Sequence, residues 1–475
     1  MAVAAACVVA TGCASSLGPG YLVRKQEIHV EFLAEPLPEI HVDASYELRN
    51  TGIRPLTRVD IRLPSHRFAI ENLNASWDGQ PAHLEMSSRQ EFCRLQLAEP
   101  WKISGTHTLR INYTIASGSS GDALAFTKDA FFLPGEGWTP QLPQVNGVFG
   151  FGGVPPDKWY LTIKAPSDFH VHCSGKRPSA KKSGTRQTIR ATQDAQTLYP
   201  FVVAGKYDTS SFDVSKQKIF LWTRTPGHLQ DLPGAEELTR SLQAYASLFG
   251  AKARESAPIW IVECPVVPGC FTSKDLPFGR YLESNHVART AEMIAPDTVI
   301  TNAREGNASL AADAAPALAA SWLGYGKNPG FYEQVLPMSA LPAFAAAIGQ
   351  QEAHGHSVRV QIVRRALRDV PEHATPGQQE SEQVMRAKSL LLFYAMEDKY
   401  GGTQFRDAVS HMLYARRGRG FDLDDLIAAF EQETHQNVAA FVRTWLKKPG
   451  VPEEFRQRYE AMSASFVIPM QEPTP

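Results

Sequence analysis

The sequence lacks an excess of charge of either sign. Its 475 residues include 48 Lys and Arg against 49 Asp and Glu, which gives a formal net charge of -1. Overall charge therefore favours neither nucleic acid nor an anionic membrane surface as a partner, and we predict no nucleic-acid binding. The one dense basic stretch, residues 176–190, contains glycine and serine between strand-like runs, which predicts a solvated hairpin rather than a docking patch.

Long apolar runs are also missing. No segment after the first dozen residues reaches the ~20 consecutive apolar residues that a membrane-spanning helix needs. The opening residues are small and apolar and lead into Gly12-Cys13-Ala14, which resembles the lipidation signal of a bacterial lipoprotein. We therefore expect a leader and tail over residues 1–19, export to the cell envelope, and membrane attachment only through a lipidated Cys13. A mis-assigned start or a plain N-terminal tail is the alternative.

Cysteines are few, and none has the spacing of a zinc ribbon or finger. Four lie beyond Cys13, namely Cys93, Cys173, Cys264 and Cys270. An even number in an exported chain permits disulfides, and a short loop would close between Cys264 and Cys270. Free buried thiols are an equally good interpretation.

What the sequence does contain is a hydrophobic fraction of 43% with 20% charged residues, as in folded globular proteins. Residues 20–207 have the two-residue alternation of half-buried strands, interrupted by Gly, Pro, Asn and Asp. The pattern is clear at Leu109, Ile111, Tyr113 and Ile115. This part of the chain is predicted to be an N-terminal antiparallel β domain, of the saddle or sandwich kind.

From residue 208 to 460 the period becomes helical after two strands, near residues 218–222 and 259–263. Apolar residues recur at three and four positions in three segments, which predicts amphipathic helices with packed faces. The residues concerned are Leu238, Leu242, Tyr245 and Phe249; Phe405, Ala408, Val409, Met412 and Leu413; and Val438, Phe441, Val442 and Trp445. The predicted fold class is thus α+β with several domains, and residues 461–475 form a tail.

Short segments on both halves resemble the aminopeptidase N family of zinc peptidases. In the β half these are Tyr46 to Asn50, Gly105 to Tyr113 and Gly205 to Tyr207; in the later half, Leu248 to Gly250 leads into the strand at 259–263. The resemblance covers nearly all of the chain after the leader. It implies a β domain of aminopeptidase N type over residues 20–207 and a mostly helical, thermolysin-like peptidase domain over residues 208–460.

The chain matches the family's metal-binding motif at its last residues but lacks the ligands. The family has His-Glu-x-x-His-Gln-Trp-Trp-Gly on one helix and a third ligand, a glutamate, on another, so that two histidines four apart reach one zinc ion. The matching segment, residues 316–324, keeps only Trp322 and Gly324. Pro316 and Ala320 replace the two histidines, and Ala317 replaces the catalytic glutamate.

Three further family positions differ in the same sense. Eighteen residues separate Ala320 from Ser339, so Ser339 stands at the position of the third ligand. Thr272 stands where the family's glutamate binds the substrate α-amino group, and Met385 lies near the position of the tyrosine that stabilises the tetrahedral intermediate. Tyr394 is too far along the helix to replace that tyrosine and is interpreted as a core residue.

No pair of histidines four residues apart occurs anywhere in the chain. The sequence therefore predicts no cofactor, no metal, no catalytic residues and an inactive aminopeptidase-like protein that binds a peptide or protein partner in a groove between its two halves. Two alternatives remain. One is a hydrolase of the same fold with a rearranged site, for instance a metal held by His354 and His356 in a loop, and the other is a structural module of an envelope complex.

Overall fold

The structure, a computed structural model, describes most of both halves of the chain. The described residues are 20–64, 69–86, 92–116, 126–133, 138–142, 156–194, 200–214, 217–224, 235–249, 258–264, 291–295, 297–301, 318, 340–372, 382–416 and 423–462. They belong to two units, the first ending at Lys206 and the second beginning at Tyr207. Each unit has its own hydrophobic core.

The first unit is built from strands. They are β1 (Tyr21–Leu33), β2 (Glu39–Asn50), β3 (Leu56–Arg62), β4 (Ile70–Trp77), β5 (Gln80–Ala82), β6 (Leu84–Met86), β7 (Phe92–Trp101), β8 (Thr106–Ala116), β9 (Phe126–Thr127), β10 (Ala130–Leu133), β11 (Lys158–Pro166), β12 (His170–Cys173), β13 (Lys176–Ser183), β14 (Arg186–Asp194) and β15 (Val202–Gly205). An eight-stranded sheet has the order β13-β14-β11-β1-β2-β8-β4-β5, and two smaller sheets have the orders β12-β15-β10-β9 and β3-β7-β6.

Pairing in these sheets is antiparallel with one exception among the described strands. β1 and β11 run parallel, with Gln26 opposite Trp159 and Glu31 opposite Lys164. The alternation on β8 is confirmed, because Leu109, Ile111 and Ile115 are fully buried there and Tyr113 nearly so. Alternating apolar residues thus supply the inner face of the large sheet.

The basic stretch at residues 176–190 forms the predicted hairpin. β13 pairs antiparallel with β14, and Gly184 in the turn between them has a φ of 60°, in the left-handed region that favours glycine. Lys181 and Lys182 are exposed on this hairpin. Their charges are therefore solvated.

The second unit begins with a mixed five-stranded sheet and continues with helices. Its strands are β16 (Asp208–Val214), β17 (Gln217–Thr223), β18 (Ile259–Glu263), β19 (Ala291–Ala295) and β20 (Thr298–Thr301), in the order β16-β17-β18-β20-β19. Its described helices are α1 (Ala235–Phe249), α2 (Leu341–His354), α3 (His356–Arg368), α4 (Glu382–Tyr400), α5 (Gly402–Ala415), α6 (Leu423–Thr434), α7 (Val438–Lys447) and α8 (Glu453–Ala461). β18 is parallel to both of its neighbours, β17 and β20.

The predicted helix faces form the core of this unit. All five apolar residues of the α5 pattern, from Phe405 to Leu413, are buried, and so are Val438, Val442 and Trp445 on α7. Phe441 is only partly buried, at the margin of that face. The helical periodicity therefore identifies the residues that pack in the interior. The expected fold class, a β-rich part followed by a mostly helical part, is confirmed.

Candidate functional site

Most positions of the degenerate metal motif lie outside the described residues. Pro316, Ala317, Ala320, Ser339 and Thr272 all fall there, and so does the lipidation candidate Cys13. Met385 lies on α4, and nothing is described of its side chain. The structure thus neither assembles nor separates these side chains, and their assignments stay predictions.

The residues next to those positions meet in one core. Leu318 is helical and fully buried, and it belongs to the same hydrophobic cluster as Ala340 and Leu341. Ala340 directly precedes α2, and the helix that carries the third ligand position, Ser339, was expected in this segment. The neighbours of Ala317 and Ser339 in sequence are therefore part of the same hydrophobic core of the second unit.

Aromatic rings pack α2 against α5 and against α4, the helix that carries Met385. The Phe344 ring lies 5.0 Å from the Tyr394 ring and 4.8 Å from the Phe405 ring. Tyr394 is fully buried, which confirms its interpretation as a core residue. Burial raises the pKa of Tyr394 far above its usual value, and its hydroxyl has no hydrogen-bond partner among the residues that the structure describes. A tyrosine in that environment stays neutral and packs.

The strand that precedes the expected amine-binding loop in the sequence, β18, ends at a carboxylate, Glu263. Glu263 accepts a hydrogen bond at Oε2 from the backbone N–H of Arg224, 2.7 Å away. Its backbone carbonyl accepts from the Tyr207 hydroxyl at 3.0 Å. These bonds tie the end of β18 to Tyr207, which precedes β16, and to Arg224, which follows β17. Glu263 therefore has a structural role at the carboxyl end of β18.

A buried charged cluster in the helical unit was missed by the sequence analysis. Arg359 on α3 donates from Nη1 to Glu397 Oε2 at 2.7 Å, from Nη2 to Asp398 Oδ1 at 2.6 Å and from Nε to the Tyr459 hydroxyl at 3.0 Å. The guanidinium carbon also lies 5.0 Å from the centre of the Tyr394 ring. Each nitrogen of the guanidinium donates to an acceptor, and these three bonds join α3, α4 and α8.

Burial and charge act in opposite directions on Glu397. Desolvation by burial raises the pKa of this carboxyl, while the adjacent Arg359 lowers it and Asp398 raises it, and the net pKa is above the usual value. Two neighbouring carboxylates share one buried cation. No sequence signal marks the cluster, because Arg359 lies between Val358 and Val360 on an otherwise apolar face.

A second buried cation, Lys388, lies on α4 close to Met385. The side chain is only 1% exposed, and its ammonium donates to the backbone carbonyl of Lys448 beyond the end of α7. The last carbonyls of a helix lack intrahelical partners, so a buried lysine can satisfy one of them. Lys388 thus secures the end of α7.

The thiols of the first unit are unsuited to chemistry. Cys93 and Cys173 are free and buried, and burial raises the pKa of each to about 12, with a contribution from Asp60 at Cys93. A thiol with that pKa is almost entirely protonated near neutral pH and is therefore a poor nucleophile. Cys264 is disulfide-bonded to a cysteine outside the described residues, so its pairing with Cys270 stays a prediction.

The His354 and His356 segment is not the open loop that was expected. His354 ends α2 and His356 begins α3, and only Gly355, with a φ of 87°, separates the two helices. A glycine in the left-handed region lets the chain turn between helices within one residue. Across the ranges that the structure describes, no three His, Cys, Asp or Glu side chains form a group that could hold a metal ion. No described helix is long and apolar enough to cross a membrane.

Known structures share the fold of this chain, although no protein-family model and no curated protein sequence matches it. A two-domain M1 zinc metallopeptidase, a point mutant bound to L-tryptophan, matches with a TM-score of 0.59 and 15% identity over 91% of this chain and 96% of that one. The M1 zinc metallopeptidase of Deinococcus radiodurans matches with a TM-score of 0.58 and 14% identity over 91% and 95%. A mutant from the same organism, bound to a Tyr-Ser-Ala substrate, matches with 0.58 and 14% over 91% and 96%. The chain has the fold of the two-domain M1 zinc metallopeptidases.

Proposed function

We propose that this protein is a catalytically inactive counterpart of the M1 zinc metallopeptidases that binds a peptide or protein at the cell envelope. One observation carries the proposal: a chain with this fold contains no two histidines four residues apart. The family's zinc site needs that spacing, because its two histidines four apart lie on one face of a helix and reach the same ion.

The proposed loss extends beyond the metal. At the family's positions Ala317 has no carboxylate to activate water, and Ser339 is a poor substitute for the third ligand. Removal of a general base alone typically lowers a rate by about 100- to 10,000-fold. Loss of the metal, the base and the stabilising tyrosine together leaves negligible hydrolysis.

A ligand-binding role remains open to such a protein. One structure with the same fold holds a Tyr-Ser-Ala substrate and another holds L-tryptophan, which supports short peptides as the class of ligand. Thr272, in place of the amine-binding glutamate, offers no negative charge. A bound peptide is therefore not selected by a free amino terminus.

Attachment to the envelope completes the proposal and rests on the lipidation signal at Cys13. Two chains can be compared after expression in a bacterium, the natural one and a Cys13→Ser variant. We expect the natural chain to carry diacylglycerol on Cys13 and to remain in the membrane fraction. Recovery of an uncleaved, unlipidated natural chain would contradict this part of the proposal.

Zinc stoichiometry tests the central claim. The protein is purified without chelators or histidine tags, exposed to excess zinc, dialysed and analysed for metal, and its hydrolysis of aminoacyl-coumarin substrates is measured. We expect much less than one zinc per chain and no hydrolysis above buffer. About one tightly held zinc per chain would overturn the proposal and favour the rearranged hydrolase, with His354 and His356 as the first ligands to replace.

A matched variant tests the assignment of the lost ligands. Restoring the motif by Pro316→His, Ala317→Glu, Ala320→His and Ser339→Glu is expected to create a site for one zinc ion per chain. Far-ultraviolet circular dichroism checks that the variant folds. A folded variant that still holds no zinc would show that these four positions do not converge.

Peptides with free and with acetylated amino termini should bind the natural chain equally well; a strong preference for the free amine would contradict the role given to Thr272.

A further inference from the structure

Two loops meet around one buried side chain at one end of the first unit. Asn50, which is fully buried, donates from Nδ2 to the carbonyl of Trp101 at 3.0 Å and to that of Arg54 at 3.2 Å. Its backbone carbonyl accepts from Ser104 N at 2.9 Å. Asn50 therefore holds the loops 49–54 and 101–105 together, and we call these two loops the Asn50 tip.

The first described residue of the chain is bound to the same place. The carbonyl of Gly20 accepts hydrogen bonds from the backbone N–H groups of Thr51 at 2.8 Å and Gly52 at 2.7 Å. A Cβ atom on Gly52 would lie 3.2 Å from the Gly20 backbone, which is tighter than an ordinary contact, so the close approach favours glycine there. Gly20, which follows Cys13 by seven positions in the sequence, is thus fixed at the Asn50 tip.

The Asn50 tip exposes large aliphatic side chains. Ile53 is 73% exposed, the highest value for a large hydrophobic residue in the described part of the chain, and Ile103 is 49% exposed. Leu22, which is 42% exposed, pairs with Arg49 at the adjoining strand ends. Exposed apolar residues gathered on the loops at one end of a domain indicate an interaction surface.

The charge of the Asn50 tip has one sign. Arg49, Arg54 and Lys102 are exposed, and the loops 49–54 and 101–105 contain no Asp or Glu. None of the three cations forms an ion pair with a residue that the structure describes. Aliphatic side chains flanked by unpaired Lys and Arg suit the surface of a bilayer that contains anionic lipids, where the apolar groups enter the interface and the cations contact headgroups.

The length of the intervening chain places such a surface within reach. Seven residue steps separate Cys13 from Gly20, and a fully extended chain covers at most about 3.6 Å per residue. A lipid on Cys13 would therefore hold the Asn50 tip within roughly 25 Å of the bilayer. We propose that the Asn50 tip docks on the surface of an anionic phospholipid bilayer through Ile53, Ile103 and the flanking cations. The orientation rests on the proposed attachment at Cys13, but the docking itself does not require the lipid.

Vesicle partition of the full chain with Cys13→Ser tests the docking without the lipid. The vesicles are phosphatidylcholine with about one third phosphatidylglycerol, compared with phosphatidylcholine alone, and bound protein is measured after sedimentation. We expect binding to the anionic vesicles and at least a tenfold loss with Ile53→Ser and Ile103→Ser together, because full burial of one isoleucine is worth about a factor of ten or more. Replacement of Arg54 and Lys102 by glutamine should remove the preference for anionic vesicles.

The matched control is Leu37→Ser. Leu37 is 69% exposed and lies in the turn between β1 and β2, at the opposite end of the same two strands from Asn50. Its replacement should leave partition unchanged. Absence of binding to anionic vesicles, or binding that Ile53→Ser and Ile103→Ser do not weaken, would overturn the docking and leave the Asn50 tip to a protein partner. Neither result bears on zinc, so failure of the docking and failure of the proposed function are measured separately.

Discussion

Arg359 Nη1 lies 2.7 Å from Glu397 Oε2 inside the helical unit, and both side chains are less than one-fifth exposed. A buried ion pair of this kind adds little net stability compared with a well-packed apolar pair, but loss of one partner is costly because the other charge stays buried. We expect Arg359→Met to lower the free energy of unfolding by about 3–5 kcal/mol, as measured by urea denaturation. Arg365→Met, on the exposed side of α3, is the control and should change it by less than about 0.5 kcal/mol. Equal effects of the two variants would contradict the role of the cluster.

The raised pKa of Glu397 predicts a dependence of stability on pH. A carboxyl whose pKa is higher in the folded than in the unfolded state favours folding fully below its unfolded pKa of 4.5, and this contribution is lost as pH rises through the folded pKa. Glu397→Gln removes the titration. The natural chain should therefore lose stability relative to this variant as pH rises from 4 toward neutrality, as measured by the free energy of unfolding of each protein. A difference that is constant over this range would refute the assignment.

Gly450 packs against the chain that follows α3. A Cβ atom there would lie 2.4 Å from the carbonyl oxygen of Glu372, and the φ of Gly450 is 61°. Gly184 has nearly the same φ, 60°, with no atom within 4 Å of such a Cβ. Gly184→Ala should cost about 1–2 kcal/mol for the backbone conformation alone, and Gly450→Ala clearly more, because it adds a clash with rigid backbone. Thermal unfolding midpoints separate the two; equal shifts would mean that the clash is relieved at no cost.

The two buried thiols should not react with alkylating reagents in the folded protein. With a pKa of about 12, Cys93 and Cys173 carry on the order of one thiolate in ten thousand at pH 8. Alkylation with iodoacetamide followed by peptide mass spectrometry is expected to label neither residue until denaturant is added. Rapid labelling of the native protein at either site would show that the interior of the first unit opens to solvent.

The sequence predicted features that depend on residues close together in the chain, and it did not predict features that join distant segments. Alternation located β8, and the three- and four-residue period located the buried face of α5, because both patterns arise from residues close in sequence. The parallel pairing of β1 with β11 was not predicted, since it joins segments more than 100 residues apart without a local signal. The cluster around Arg359 was missed for the same reason. The turn at Gly355 was taken as a loop, because a single glycine between helices resembles a longer break.

The same contrast between local and long-range features applies to the candidate site. The absence of a histidine pair on one helix is a property of the sequence and needs no coordinates. The burial of Leu318 and Leu341 in the same hydrophobic cluster is a long-range feature that only the structure could supply.

The parallel pair also sets an order on how the chain can be assembled during synthesis. β1 and β2 can pair as soon as Asn50 has emerged, but the other edge of β1 waits for β11, which ends at Pro166. Until then a strand of 13 residues with one apolar face presents unpaired backbone groups along one edge. The growing chain is thus most open to pairing with another chain before its first unit is complete, and a chaperone that shields this edge would act on the first half of the polypeptide rather than on the helical unit.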